Sequence, residues 1–150
     1  MLYSQIQADR LAAQKAGDSR LVRILKLILS ELAYAQVDFK AAMPTGRQGE
    51  LPDEEVIRVL MKEAKKRKDG IEIYDKAGSI ERASEERYEL KMIENYLPQM
   101  MSEEEVRVEV SKTAAETGLT GGRLMGAVMG RLKGKAEGSL VQRIVTENFP

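Results

Sequence analysis

The residues with the clearest chemical reading are Lys133, Gly134, Lys135, Gly138 and Ser139, close together within GGRLMGAVMGRLKGKAEGSLVQ at 121–142. Two lysines and two glycines precede the expected start of a helix at Ser139. Bare backbone N–H groups and a helix dipole both favour negative charge, so this turn suits an anionic oxygen such as a phosphate. Arg123, Arg131 and Arg143 extend the basic character, and residues 119–143 hold five bases against one acid. Contacts of this kind position a polyanion by its backbone and do not read bases. Aromatic side chains are scarce here, which argues against stacking on single strands and for recognition of a folded RNA by shape.

Catalysis has less to draw on. The chain has no cysteine and no histidine, which excludes thiol and imidazole chemistry and Cys/His metal sites. Glu54, Glu55, Glu103, Glu104 and Glu105 stand at expected helix starts, where the helix dipole accounts for them. The KGK at 133–135 lacks the glycine spacing and the following Ser/Thr of a phosphate loop. Ser139 has no neighbouring base. The residues therefore assign no catalytic group, no metal and no cofactor.

The elements that must position the turn are helices. Of 150 residues, 43% are apolar and only seven are aromatic, none of them Trp. The core is thus built from Leu, Ile, Val, Met and Ala, and strand-like β-branched runs are missing. The fold class is all-α. Ser4 with Gln7 reads as a capping box for a first helix that Gly17 closes. Asp18 or Ser19 caps a second, to about Ala42, with Leu21, Leu25, Ile28, Leu32, Ala35 and Phe39 on one face and Ile24, Leu27 and Leu29 widening it. Residues 43–49 (MPTGRQG) read as a loop.

Pro52 and Asp53 open a third helix whose apolar face holds Val56, Ile57, Leu60, Met61, Ala64 and Ile71, ending near Gly78. Arg67 falls on that apolar face, where its stem packs on the core and its head pairs with a carboxylate such as Glu89. Ser79 caps a fourth helix that Pro98 stops. Ser102 and Glu105 make a second capping box, for a fifth helix ended by Gly118. Thr120 caps a sixth, and Ser139 with Gln142 is a third capping box, for a last helix to about Asn148. The turn at 97–99 divides the chain into a helical bundle, 1–97, and a small helical domain, 98–150.

Glycine recurs every four residues through Gly122, Gly126, Gly130, Gly134 and Gly138. Each glycine inside a helix costs about 1 kcal/mol relative to alanine, so the run needs a compensating reason. Close packing of another helix is one, and backbone bared to a ligand is the other. The motif alone favours packing for Gly122, Gly126 and Gly130, and the anion turn for Gly134 and Gly138. Lysine plus arginine and aspartate plus glutamate both total 24, which argues against binding nucleic acid by bulk charge. Residues 84–116 carry four bases and nine acids, so the basic stretch at 119–143 is a local asymmetry. The most apolar run, 21–35, is broken by Arg23, Lys26 and Glu31, which indicates no membrane span, and the expected setting is cytoplasmic.

At these residues the chain resembles the GatB/YqeY family. The resemblance is strongest in MGAVMGRLKGKAEGSLVQRIV at 125–145, and extends to EAKKRKD at 63–69, YLP at 96–98 and SEEE at 102–105. Length and layout resemble a free-standing YqeY-like protein without the catalytic domains of an amidotransferase. The resemblance implies an all-helical fold and tRNA as partner, because the related tail of the tRNA-dependent amidotransferase B subunit contacts tRNA. It also implies docking to an aminoacyl-tRNA synthetase or amidotransferase as an alternative. The family is further associated with glutamine-dependent carbon–nitrogen ligation. Three positions depart from the family pattern: Gly121 where an apolar residue is usual, Gly130 where proline is common, and Glu137 in place of aspartate.

Overall fold

The computed structural model describes residues 1–42 and 50–150, so the loop expected over 43–49 lies outside the described residues. Among the described residues the chain forms seven helices and no strand. It divides into two compact units, Met1–Leu97 and Pro98–Pro150.

The first unit holds α1 (Leu2–Ala16), α2 (Ser19–Ala42), α3 (Asp53–Lys76) and α4 (Ile80–Glu94). Helix α1 starts earlier than the Ser4–Gln7 box predicts. Its N-cap is Met1, and Ser4 lies inside the first turn. The head of α3 does the capping instead: Asp53 accepts the Leu2 N–H at 2.9 Å, and Glu50 accepts the Ser4 hydroxyl. That hydroxyl, ahead of the nearby α-amino group, holds the Glu50 carboxyl below its ordinary value. Gly17 closes α1 in the left-handed region at φ 75°, and Asp18 then caps α2 by accepting the Leu21 N–H at 3.1 Å.

Helix α2 is the pillar of this unit. Leu25, Ile28 and Leu32 are fully buried and pack with Tyr3, Ile6, Val56, Leu60 and Ile93. Leu29, Ala35 and Phe39 pack at the margin. Leu27 does not widen the core as expected. It points well away from the Leu25–Leu32 stripe at 100° per residue and is exposed.

A tight turn with Gly78 at φ 72° joins α3 to α4. Ser79 is the N-cap of α4 by position, yet its side chain makes no capping bond. What locks these two helices is charge. Arg67 is only 7% exposed, and its guanidinium donates to Glu89 at 3.1 Å and to Glu63 at 2.5 Å. Pairing with Glu89 follows the sequence expectation. Glu63, 3% exposed and one helical turn before Arg67, is an added partner, and Lys66 reaches it at 3.0 Å. The Tyr96 hydroxyl donates to Asp9 at 2.6 Å and ties the end of α4 back to α1. Burial, then the Asp9 bond, raises the Tyr96 pKa far above its ordinary value.

The second unit is a three-helix bundle of α5 (Glu103–Thr117), α6 (Gly121–Leu132) and α7 (Gly138–Asn148). The Ser102–Glu105 box forms reciprocally: Ser102 Oγ accepts the Glu105 N–H and Glu105 accepts the Ser102 N–H. Val106, Val110, Leu124, Val128, Leu132, Val141 and Ile144 make the core. Thr120 is the N-cap of α6 by position only. Gly121 adopts φ 55° and donates its N–H to the Phe149 carbonyl at 2.8 Å, so glycine is required there and the helix start is tied down.

Removing the Arg67 head leaves the half-buried Glu89 without its partner and the buried Glu63 with Lys66 alone. Arg67→Ala is therefore expected to destabilise the protein by about 3 kcal/mol in urea unfolding. Arg67→Lys recovers only part of that, because an ammonium cannot span two carboxylates as a planar fork does. A loss below about 1 kcal/mol for the alanine variant would contradict this role.

Candidate nucleic-acid interface

The turn between α6 and α7 is held by backbone hydrogen bonds. Lys133 is the C-cap of α6, and Gly134 takes φ 76°. The N–H groups of Lys135 and Ala136 both return to the Leu132 carbonyl. Ala136 inserts into the core, while the Lys135 carbonyl accepts the Met101 N–H at 2.8 Å. The side chains of Lys133 and Lys135 are consequently presented to solvent.

Helix α7 begins one residue earlier than its expected cap. Glu137 is the N-cap and makes no side-chain capping bond, so the predicted Ser139–Gln142 box does not form. Ser139 sits in the first turn of the helix, where its hydroxyl is no longer aligned with the N3 amide. The first N–H groups of a helix have no intrahelical acceptor, and Gly138 and Ser139 belong to that set. Lys133, Gly134, Lys135, Gly138 and Ser139 are thus brought together at an exposed helix start.

The arginines divide differently. Arg131 donates to Glu116 at 2.8 Å and to the Thr113 hydroxyl at 3.2 Å, which binds α6 to α5. Arg143 donates to Glu103 at 3.0 Å, and Arg107 bridges Glu103 and Glu147. Those bonds, Arg107 first and Arg143 second, lower the Glu103 pKa. The side chains of Arg123 and Lys135 make no hydrogen bond or ion pair among the described residues. Arg123 lies near the start of α6, roughly 15 Å along the helix from Lys133 at 1.5 Å per residue.

Sequence reasoning missed Glu103, Glu116 and Thr113 as partners of the arginines. The signal was present: residues 98–150 hold seven bases and seven acids, and the acidic stretch directly precedes the basic one. The packing role of the glycines is also corrected. A Cβ added at Gly122, Gly126 or Gly130 would meet nothing within 4 Å, because α5 and α7 engage the opposite, apolar side of α6. No helix among the described residues packs on that face.

Residues 3–149 match the sequence profile of the family described as Yqey-like protein. The chain belongs to the YqeY-like family. It is also similar to an uncharacterized protein of Schizosaccharomyces pombe, 32% identical over 101 residues, which span 67% of this chain and 76% of the yeast protein. Among the described residues no group of His, Cys, Asp or Glu side chains could hold a metal ion, and no helix is long and apolar enough to cross a membrane.

Two outcomes follow from this geometry. Glu103 has a folded pKa below its unfolded value, so it adds stability above the unfolded value and loses it as pH falls through the folded one. In a carboxyl NMR titration, Arg143→Ala should move the Glu103 pKa upward, toward 4.5. An unmoved Glu103 would show that the Arg143 contact is absent in solution. Separately, Gly126→Ala is expected to stabilise the protein by about 0.5–1 kcal/mol in urea unfolding, since the methyl enters open space.

Proposed function

We propose that this chain is a tRNA-binding accessory module of the cytoplasm, without a catalytic site of its own. The observation that carries the reading is the set of anion-binding groups not spent within the bundle: Arg123, Lys135 and the uncapped start of α7. A bundle that pairs Arg131, Arg143 and Arg107 with carboxylates leaves these groups available to phosphate oxygens. The resemblance of 125–145 to the tail of the amidotransferase B subunit supports tRNA as the polyanion. Recognition by shape suits the scarcity of aromatics.

The proposal separates the five cations by role. Arg123, Lys133 and Lys135 contact phosphates, while Arg131 and Arg143 pair with Glu116 and Glu103 within the bundle. Affinity for tRNA, measured by fluorescence anisotropy against salt, should fall linearly in log–log form by roughly 0.7–0.9 per phosphate neutralised. Replacing Lys133 and Lys135 with alanine should make the slope shallower by roughly one to two. Arg131→Ala should instead lower stability. Unchanged affinity and slope in the double lysine variant would remove the turn from the interface.

A second reading has one observation in its favour, the open face of Gly122, Gly126 and Gly130. Small residues at this spacing accept a helix of a partner, such as an aminoacyl-tRNA synthetase or amidotransferase. Glutamine-dependent carbon–nitrogen ligation would then belong to that enzyme. Gly126→Leu distinguishes the two: it folds normally in either case, and loses the partner enzyme with its tRNA salt slope intact only under docking.

A further inference from the structure

Helix α2 carries two stripes. One, through Leu25, Ile28 and Leu32, is buried in the core of the first unit. The other runs along the opposite side of the helix through Leu27, Ser30, Tyr34, Val37 and Ala41, all exposed. At 100° per residue these five positions fall within an arc of about 80°, and none of them is charged. Of the eight large apolar side chains left exposed among the described residues, three stand in this arc: Leu27 at 46%, Tyr34 at 71% and Val37 at 67%. Single exposed apolar residues are ordinary, whereas aligned ones mark a contact surface. Tyr and Val are also poorer helix formers than Lys or Glu, so a solvated face gives no local reason for them.

The spacing and the borders of this stripe are the second observation. The steps from Leu27 to Ala41 are three, four, three and four residues, the a and d pattern of a two-stranded coiled coil. Lys26 and Lys40 border it at g positions, and Glu31 and Asp38 border it at e positions. The side chains of these four make no hydrogen bond or ion pair among the described residues. Toward the N-terminus the pattern stops at Arg23, which is held by Glu85 of α4 at 2.9 Å. One edge of the stripe is thus basic and the other acidic, and neither is matched among the described residues.

We propose that this stripe seats a second copy of the chain, with the two α2 helices parallel about a two-fold axis. Charge selects both the occupant and the direction. In a parallel pair the g edge of each helix meets the e edge of the other, so Lys26 reaches Glu31 of the second copy, twice by symmetry. In an antiparallel pair g meets g and e meets e, which sets lysine against lysine and carboxylate against carboxylate. The chain is therefore complementary to itself in one direction and repels itself in the other. From Leu27 to Ala41 the seam is about 21 Å long at 1.5 Å per residue, the small end of protein interfaces, which makes the dimer weak and reversible. Helix α2 is already ordered by its buried stripe, so association carries no cost of forming the helix.

The test is sedimentation velocity of the full chain across the micromolar range, joined to cysteine cross-linking, for which the chain has no thiol of its own. The average mass should rise with concentration from monomer toward dimer. Tyr34→Lys, which sets like charges face to face in the seam, should raise the dissociation constant by about tenfold or more. Its circular dichroism and thermal melting in dilute solution should be unchanged, since Tyr34 is exposed. Lys26→Glu should weaken the dimer, and adding Glu31→Lys should restore it. With oxidised glutathione, Val37→Cys should form a disulfide dimer faster than Gln7→Cys, an exposed control on α1. A d residue faces its own copy in a parallel seam, and in an antiparallel one centred on Tyr34 it lies beyond disulfide reach of it. A chain that stays monomeric at every concentration would leave the stripe to some other partner and overturn the proposal. So would a dimer indifferent to Tyr34→Lys, a charge exchange that restores nothing, or a Val37→Cys variant that cross-links no faster than the control.

Discussion

A guanidinium inside an aliphatic core is tolerable only with carboxylates against it, since the desolvation cost of an unpaired charge is several kcal/mol. Arg67 meets that condition by taking Glu63 from its own helix and Glu89 from the next. The demand fixes how α3 and α4 lie against each other, because Nη1 and Nε must both be satisfied at once. Aliphatic packing is less specific: Leu, Ile and Ala tolerate a slipped register at modest cost, while a two-carboxylate fork does not. The tight turn at Gly78, only eleven residues after Arg67, brings Glu89 back within reach of that fork.

In the second unit, electrostatics acts across the bundle. Acids gather at the head of α5, as the helix dipole favours, and bases gather in α6 and α7. Folding brings the two blocks together, so Glu103 receives Arg107 and Arg143, and Glu116 receives Arg131. Exposed pairs of this kind contribute little stability individually. Their larger effect is to decide which cations remain for an external anion. A basic stretch in sequence is thereby reduced to a smaller basic surface in space.

The helices were legible because their punctuation is physical. Gly17, Gly78 and Gly118 adopt the left-handed conformation at or beside the helix ends where the sequence places them. The Ser102–Glu105 box formed because nothing else competes for those groups. The Ser4 and Ser139 boxes failed for reasons a local pattern cannot contain. Glu50 and Asp53, some fifty residues away, take over the start of α1. At α7, buried Ala136 sets where the chain enters the helix and shifts the cap to Glu137. Arg67 could be read from helical phase, but Glu63 could not, since a Glu four residues before an Arg looks the same on any solvated face. That no helix among the described residues covers the glycine strip could not be read from its periodicity, which shows only that these residues share a face.

That bare strip has an energetic side. Helix α6 is twelve residues long, about the length at which an isolated helix is marginal in water even with good helix formers. Gly122, Gly126 and Gly130 withdraw roughly a further 3 kcal/mol of helical propensity. What holds the helix is one stripe, Leu124, Val128 and Leu132, pressed on α5 and α7. The segment that bears Arg123 and leads into the basic turn therefore owes its order to packing on α5 and α7 and not to helix propensity.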